Sequence, residues 1–446
     1  LAIICLFGIF YTDDIIKYIA PGFENTPGKT AVTITMTKIM FPFLILVAVA
    51  AVFMGMLNSM GYFFVASFAP TLFNVAMIVA GFTVCPILKY LGYQSITGMA
   101  FGVLIGGLLQ MGIQYRALKN LGFRFKFTVN FRHPGFLKIL KLMLPATIGV
   151  AAAQINVFIN TWLASQLADG SISYLNYSFR LMQLPIGLFG VAISSVTLPA
   201  ISAQIATNQR DKLPETILNS LSLVFLLTIP ATFGLIFLRE PIISLLYEHG
   251  RFNHADTVNT GHALVGYSIG LFGYSAVKIL APVFYAFNET KIPVLASITS
   301  VICNVALNFA LIKNYGYFGL ALATSLTMLL NFLILFVFIK LRVKGLSLRK
   351  LLKTLLKIAL VSVLMGAVLF YLYDGVFVNI KSMFLGFNTL FNIFTLAILI
   401  PLGILILFKF GNDLGIEEVN SLSAVLSKKF KKISSLIMKK ENGDIL

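Results

Sequence analysis

The sequence has few charged residues and very few acids. Only 11% of its 446 residues are charged, and 16 Asp and Glu stand against 34 Lys and Arg. A soluble domain carries roughly 25% charged residues. Because 58% of the residues are hydrophobic, the composition excludes an ordinary soluble protein. It predicts an all-α protein that crosses a membrane many times.

The chain also lacks the patterns of enzyme and metal sites. It contains no GxxxxGK[ST] loop, no HExxH motif and no pair of acids inside an apolar run,. Cys5, Cys85 and Cys303 form no CxxC pair and are odd in number, so they indicate neither disulfides nor a metal. The stretch EHGRFNHAD (248–256) offers His and acidic side chains, but a solvated loop is favoured over a metal site. We therefore expect no catalytic residue, cofactor or metal.

Long apolar runs are abundant. A span needs about 20 residues, and the opening run LAIICLFGIFY has about half that length and does not begin with Met. This indicates a chain truncated inside a span; a cleaved signal peptide is the alternative. In all we predict about twelve spans, near 1–11, 39–57, 62–85, 97–115, 143–166, 172–206, 217–238, 261–287, 292–312, 317–340, 355–373 and 388–408.

Basic residues are concentrated in three places. Residues 116–141 and residues 340–357 each carry seven Lys or Arg and no acid, and the C-terminal tail carries a third group. The positive-inside rule predicts that all three are cytoplasmic. Nucleic acid is the other usual partner of basic clusters. Here they flank spans, so orientation and attraction to anionic lipids, about 1 kcal/mol per residue, explain them better.

Two segments of the chain resemble each other. VFMGMLNSMGYFFVASFAPTLFNVAM (52–77) and VFYAFNETKIPVLASITSVICNVALN (283–308) share V-F and A-S-x6-N-V-A, and G-Y follows at Gly92 and Gly316. An even number of predicted spans separates them, so they have the same orientation. This pattern predicts a parallel repeat of two lobes, residues 1–120 and 138–340, followed by two further spans in 353–410 and a basic tail, 411–446.

Arg180, in NYSFRLMQLP, is the only charge between Asp169 and Arg210. An arginine at mid-bilayer costs at least about 2.5–3.5 kcal/mol, so we expect it to face a cavity; snorkelling to the outer surface is the alternative. Its planar guanidinium suits a phosphate or carboxylate. Lys278 is a second isolated cation in an apolar run.

Neutral and helix-breaking residues complete the candidate site. Pro185 and Gly187 follow Arg180 and form a candidate hinge, because proline removes a backbone donor and bends a helix. Neutral polar residues also occur inside the predicted spans. For these residues, hydrogen bonding between helices is favoured over ligand binding. The remaining candidates are Ser173 and Gln183 for the cavity, and Asn160, Asn304, Asn308 and Thr324 for a cation.

Four stretches resemble successive signatures of the MurJ (MviN) family of lipid II flippases, within the MOP exporter superfamily. They are MFPFLILVAVAAVFMGMLNSMGYFFVASFAPTLFN, QINVFINTWLASQLADGSISYLNYSFRLMQLPIGLFGVAISSVTLPAIS, LYEHGRFNHADT and KILAPVFYAFNETKIPV. The resemblance implies about fourteen helices, of which about twelve are present here. They form two lobes around a central cavity, and two extra C-terminal helices border a hydrophobic groove. It also implies transport of lipid II, the undecaprenyl-pyrophosphate-linked peptidoglycan precursor, to the outer face of the bacterial cytoplasmic membrane by alternating access.

The resemblance also implies roles for particular residues. The arginine of the family's Y-x-x-R-L-x-x-x-P pattern falls on Arg180 and engages the substrate head group, while Gln183 stands where an acid is frequent. A monovalent cation would lie among Asn160, Asn304, Asn308 and Thr324. Because amides replace acids there, a direct response to membrane potential is the alternative. The implied partners are lipid II, membrane lipids and cell-wall synthesis proteins.

Other functions remain as alternatives. Another polyprenol-linked glycan flippase or a multidrug exporter of the same superfamily would share the lobed plan. A membrane-embedded glycosyltransferase belongs to a different class. It would need an acidic catalytic residue in a sizeable outer loop, whereas the predicted loops are short.

Overall fold

The computed structural model describes residues 1–124, 134–384, 387–420 and 422–423, and within these ranges the chain forms helices and no strand. Short 3₁₀ and π-helical turns connect several of the helices. The α-helices are α1 (Ala2–Phe10), α2 (Thr12–Ile19), α3 (Lys29–Met40), α4 (Phe43–Ser59), α5 (Phe63–Phe82), α6 (Val84–Tyr90), α7 (Thr97–Asn120), α8 (Pro134–Ser165), α9 (Ser171–Pro185), α10 (Ala192–Ala206), α11 (Leu213–Phe237), α12 (Arg239–Tyr247), α13 (His254–Ser268), α14 (Leu271–Ala286), α15 (Lys291–Arg342), α16 (Leu348–Leu372), α17 (Val378–Ile380) and α18 (Asn388–Asp413).

Within the described residues, eight helices are long and apolar enough to cross a membrane, and the bent pair α13–α14 makes a ninth. The 52-residue helix α15 covers two predicted spans, and the non-helical residue Gly316 divides it. The predicted span at 1–11 corresponds to α1, which has only nine residues. Parts of the first and the third basic cluster, residues 125–133 and the tail from 424 onward, lie outside the described residues.

The contacts divide the chain into two compact units. The first comprises Leu1–Ala146 and Thr161–Asp169, and the second comprises Thr147–Asn160 and Gly170–Leu446. The predicted lobe boundaries differ from these ranges, and the lobes stay a prediction.

In the first unit, small residues let α7 pack closely against α5. Gly102 and Gly106 lie one turn apart on the buried face of α7. A Cβ on Gly102 would lie 2.7 Å from the Ala80 Cβ, and one on Gly106 would lie 2.8 Å from Phe73 Cδ2. Small residues at i, i+4 spacing allow two helices to pack closely in a membrane.

In the second unit, α11 lies at the centre of the largest hydrophobic core. Its fully buried Phe225 ring packs edge-on against Phe272 of α14's first turn and Phe332 of α15, with centroids 5.9 and 5.7 Å apart. Helices α16 and α18 contribute buried residues to the same core. The two predicted extra C-terminal spans are therefore integral to this unit.

Both predicted G-Y turns are present. Gly92 has φ = 82° and Gly316 has φ = 53°, a region that glycine adopts without steric cost,. Gly92 ends α6, where the backbone N–H of Tyr93 donates to the Leu88 carbonyl at 2.9 Å. Each glycine thus separates one helical segment from the next, as the repeat predicted.

Candidate functional site

Arg180 lies at the centre of a polar face on α9. Ser173, Asn176, Arg180 and Gln183 are all exposed, and their spacing of three to four residues puts them on one side of the helix,. Arg180 forms no ion pair with any described residue. A span of an apolar protein thus presents one unneutralised guanidinium among three neutral polar side chains.

The opposite face of α9 is buried and holds the helix in register on α13. The Ser178 hydroxyl donates to the Thr260 carbonyl at 2.7 Å, and the Tyr174 hydroxyl donates to Asp256 Oδ1 at 2.9 Å. Asp256 is itself fixed, because it forms a capping box with Asn253 at the start of α13. The helix that carries Arg180 is therefore anchored by Ser178 and Tyr174, which the sequence did not single out, and by Asp256, which the sequence offered only as a metal ligand.

Aromatic side chains pack beside Arg180. The Tyr177 ring, one turn before Arg180, lies 4.7 Å from the Tyr247 ring and 5.5 Å from the Phe252 ring. Tyr247 ends α12, outside the candidate spans. Burial raises the pKa of Tyr247 above its ordinary value, and the nearby positive charge of Arg180 partly opposes this increase. Arg180 thus lies near enough to Tyr247 to favour the ionised form of its hydroxyl.

Pro185 does not end the helix that carries Arg180. The chain continues from Pro185 as a π-helical turn, Ile186–Val191, and then as α10. Such wider turns occur where the regular backbone hydrogen bonding of a helix is interrupted. Pro185 is buried whereas Gly187 is exposed with open space around it. The candidate hinge therefore coincides with an irregular turn rather than a break.

Lys278 is exposed on α14. Its backbone carbonyl accepts a hydrogen bond of 2.6 Å from the Ser194 hydroxyl on α10. This contact fixes the backbone of Lys278 and leaves its ammonium group exposed.

The predicted asparagines do come together. Asn308 Nδ2 donates to Asn160 Oδ1 at 2.6 Å and to Asn304 Oδ1 at 2.8 Å. Asn304 Nδ2 in turn donates to Thr327 Oγ1 at 3.3 Å, whereas the Thr324 hydroxyl donates to its own helix at Leu320. Thr327 was not predicted. Its i, i+3 spacing from Thr324 is the signal that could have indicated it.

The loop EHGRFNHAD uses its polar side chains for structure. Glu248 Oε2 accepts from the Thr257 hydroxyl at 2.7 Å and lies 3.6 Å from His254 Nδ1. Burial alone would raise the pKa of Glu248, but hydrogen bonds from Thr257 and Ser244 and the charge of His254 together lower it. No group of three or more His, Cys, Asp or Glu suited to a metal occurs in the described parts of the chain.

Solved structures show which fold the chain has. An inward-facing MATE-family transporter of the MOP superfamily matches 77% of this chain and 78% of its own, with TM-score 0.63 and 16% identity. A structure of the lipid II flippase MurJ in an inward closed conformation matches 92% of this chain and 80% of its own, with TM-score 0.75 and 28% identity. The chain therefore has the all-helical, multi-span fold of MOP-superfamily transporters.

The family follows from the sequence comparisons. The family model described as lipid II flippase MurJ matches residues 1–391. The chain is 38% identical to a probable lipid II flippase MurJ of Vibrio cholerae, over 69% of this chain and 58% of that protein. It is 34% identical to the lipid II flippase MurJ of Burkholderia cenocepacia, over 75% of this chain and 65% of that protein.

The chain belongs to the MurJ lipid II flippase family. It spans 58% and 65% of the length of these two relatives. The predicted family is confirmed, and the family is one of transporters, not of enzymes.

Proposed function

We propose that the protein moves lipid II from the inner to the outer face of the bacterial cytoplasmic membrane by alternating access. Lipid II joins a polyprenyl chain to a disaccharide-peptide through a pyrophosphate. The polyprenyl chain stays in the bilayer while the charged head group crosses. The protein must therefore offer the head group a polar surface at membrane depth, since an unpaired charge in hydrocarbon is costly.

The exposed, unneutralised Arg180 on the polar face of α9 is the observation that carries this proposal. Its guanidinium can bind a pyrophosphate through two parallel N–H···O bonds. Ser173 and Gln183, on the same face, can donate further hydrogen bonds to phosphate or sugar oxygens. Lys278 supplies a second exposed cation, and the π-helical turn after Pro185 gives α9 a point at which to bend.

Cells depleted of their own lipid II flippase provide the test. We expect the complete protein that contains this chain to sustain their growth and its Arg180→Ala variant to fail at equal membrane abundance. Arg210→Ala removes an exposed arginine outside the polar face and should behave as the unchanged protein. Growth supported equally by Arg180→Ala would refute the role of Arg180.

Liposome assays with lipid II, other polyprenyl-linked glycans and cationic drugs separate the proposed substrate from its alternatives.

The orientation in the membrane is part of the proposal. Residues 116–141, residues 340–357 and the C-terminus would lie in the cytoplasm, because their Lys and Arg resist transfer across the membrane. Asp169 and the loop 248–256 would then lie outside. Labelling of single introduced cysteines in intact cells by a membrane-impermeant maleimide tests this. A cysteine at Asn253 should react, and one at Arg349 should not.

The amide cluster does not fit a monovalent cation as it is arranged. A cation needs several oxygens directed at one point, but the NH₂ group of Asn308 lies between the Asn160 and Asn304 oxygens. Only Asn308 Oδ1 among these amides is buried without a partner. No step of the proposed transport depends on a cation bound at this cluster. Instead, the membrane potential acts on the cationic site directly, with about 2.3 kcal/mol per charge per 100 mV.

A further inference from the structure

Some Lys and Arg side chains of the basic cluster 340–357 have hydrogen-bond or ion-pair partners in the protein. Others have none among the described residues. Arg342 lies 2.8 Å from Glu289 Oε1, and Lys350 lies 3.4 Å from Glu417 Oε2. Lys357 donates to the carbonyls of Leu414 and Gly415, at 2.7 and 3.2 Å, and so neutralises the C-terminal end of α18,. These three side chains therefore have partners within the protein.

Arg349 and Lys353 have a different environment. Both are exposed, and neither makes an ion pair or a side-chain hydrogen bond with a described residue. Their i, i+4 spacing places the two Cβ atoms about 5–6 Å apart, near enough to contact one phosphate. The turn is rigid, because the Ser347 side chain caps α16 and Leu351 is 3% exposed. The pair is thus a cationic site for which the described residues supply no anion.

The same face of α16 continues as an apolar strip. Leu352, Leu356 and Leu360 are 47%, 67% and 63% exposed, at intervals of four residues within a candidate span. Exposed leucines within a span are in contact with lipid chains. The two cations therefore lie at the end of a lipid-facing strip, where long basic side chains reach the head-group region.

We propose that Arg349 and Lys353 bind an anionic phospholipid of the bilayer. Its phosphodiester group contacts both side chains, and one acyl chain lies along Leu352, Leu356 and Leu360. A phospholipid is the partner that matches this order of charge followed by about two turns of apolar surface. This site is separate from Arg180 and does not depend on the substrate that the protein transports.

Titration with phosphatidylglycerol in uncharged detergent micelles tests the proposal. Native mass spectrometry would measure the affinity, and the melting temperature would report the stabilisation. We expect the double variant Arg349→Gln, Lys353→Gln to bind phosphatidylglycerol about 30-fold more weakly. Zwitterionic phosphatidylcholine should bind weakly and equally to both proteins.

The double variant Lys350→Gln, Lys357→Gln is the matched control on the same helix. It removes two internal contacts, so it should melt at a lower temperature yet keep the affinity for phosphatidylglycerol. Unchanged affinity in the Arg349, Lys353 variant would overturn the proposal, as would equal losses in both double variants. Exposed Arg349 and Lys353 support no internal contact, so their replacement should leave the unliganded melting temperature unchanged.

Discussion

Ser194 on α10 donates its hydroxyl hydrogen, at 2.6 Å, to the backbone carbonyl of Lys278 on α14. In a regular helix this carbonyl would accept from the N–H of residue 282, but residue 282 is proline and has no N–H,. The hydroxyl therefore replaces the missing helical donor. This contact allows a proline inside α14 at membrane depth, where an unpaired carbonyl is costly.

Replacing Ser194 with Ala should lower the free energy of unfolding by about 1 kcal/mol, the scale of hydrogen bonds between membrane helices. In a Pro282→Ala background the cost should vanish, because residue 282 then supplies the N–H. Equilibrium unfolding in micelles measures all four combinations. Ser195→Ala is the control, since that hydroxyl bonds within its own helix to Ala192. An equal cost of Ser194→Ala in both backgrounds would contradict this account.

Asn308→Ala should destabilise the protein by about 0.6–1.7 kcal/mol, because Asn308 connects Asn160 and Asn304,. Thr327→Val should cost more than Thr324→Val, since only Thr327 accepts from Asn304. Micelle unfolding of the three variants measures the differences. A larger effect at Thr324 would show that the amide network is arranged differently.

Exchanging Na⁺ for K⁺ should not alter the melting temperature beyond an ordinary ionic-strength effect. The reason is the position of the Asn308 NH₂ group, which faces the two amide oxygens where a cation would have to bind. Choline chloride at the same ionic strength provides the control. A stabilisation by Na⁺ alone that disappears in Asn308→Ala would contradict this arrangement and support the predicted cation site.

Acidification should destabilise the loop 248–256 through Glu248. The folded-state pKa of Glu248 is lowered from the ordinary 4.5, so its carboxylate contributes stability at and above pH 4.5 that is lost as the pH falls through the lower folded pKa. Melting temperatures between pH 6 and pH 3 should therefore fall less steeply in Glu248→Gln. Glu215→Gln replaces an exposed acid and should keep the original slope. Parallel curves for all three proteins would refute the contribution of Glu248.

Hydropathy and glycine positions predicted much of the fold because they report local physical requirements. A run of apolar residues identifies a span by itself, and Gly92 and Gly316 indicated turns because glycine tolerates positive φ. The boundary inside α15 was predicted in this way, because hydropathy and Gly316 divide this stretch into two spans and the backbone at Gly316 is non-helical.

The sequence predicted a part of the candidate site only where a single residue is unusual for its surroundings. An isolated arginine in an apolar run indicates Arg180 directly. Tyr247 and Asp256, which contact Tyr177 and Tyr174 of the same helix, lie far along the chain and become visible only when α9 packs against α12 and α13. The choice between Thr324 and Thr327 likewise depends on helix rotation, which spacing alone does not define. The π-helical turn after Pro185 depends on how the surrounding helices satisfy its backbone.

Flipping of fluorescent lipid II in liposomes, compared among the unchanged protein, Arg180→Lys and Arg180→Ala, tests the central claim most directly. A lysine keeps the charge but cannot form the bidentate contact of the planar guanidinium. We expect Arg180→Ala to abolish flipping and Arg180→Lys to retain a reduced rate, with all three proteins melting at similar temperatures. Flipping by Arg180→Ala at the rate of the unchanged protein would contradict the account.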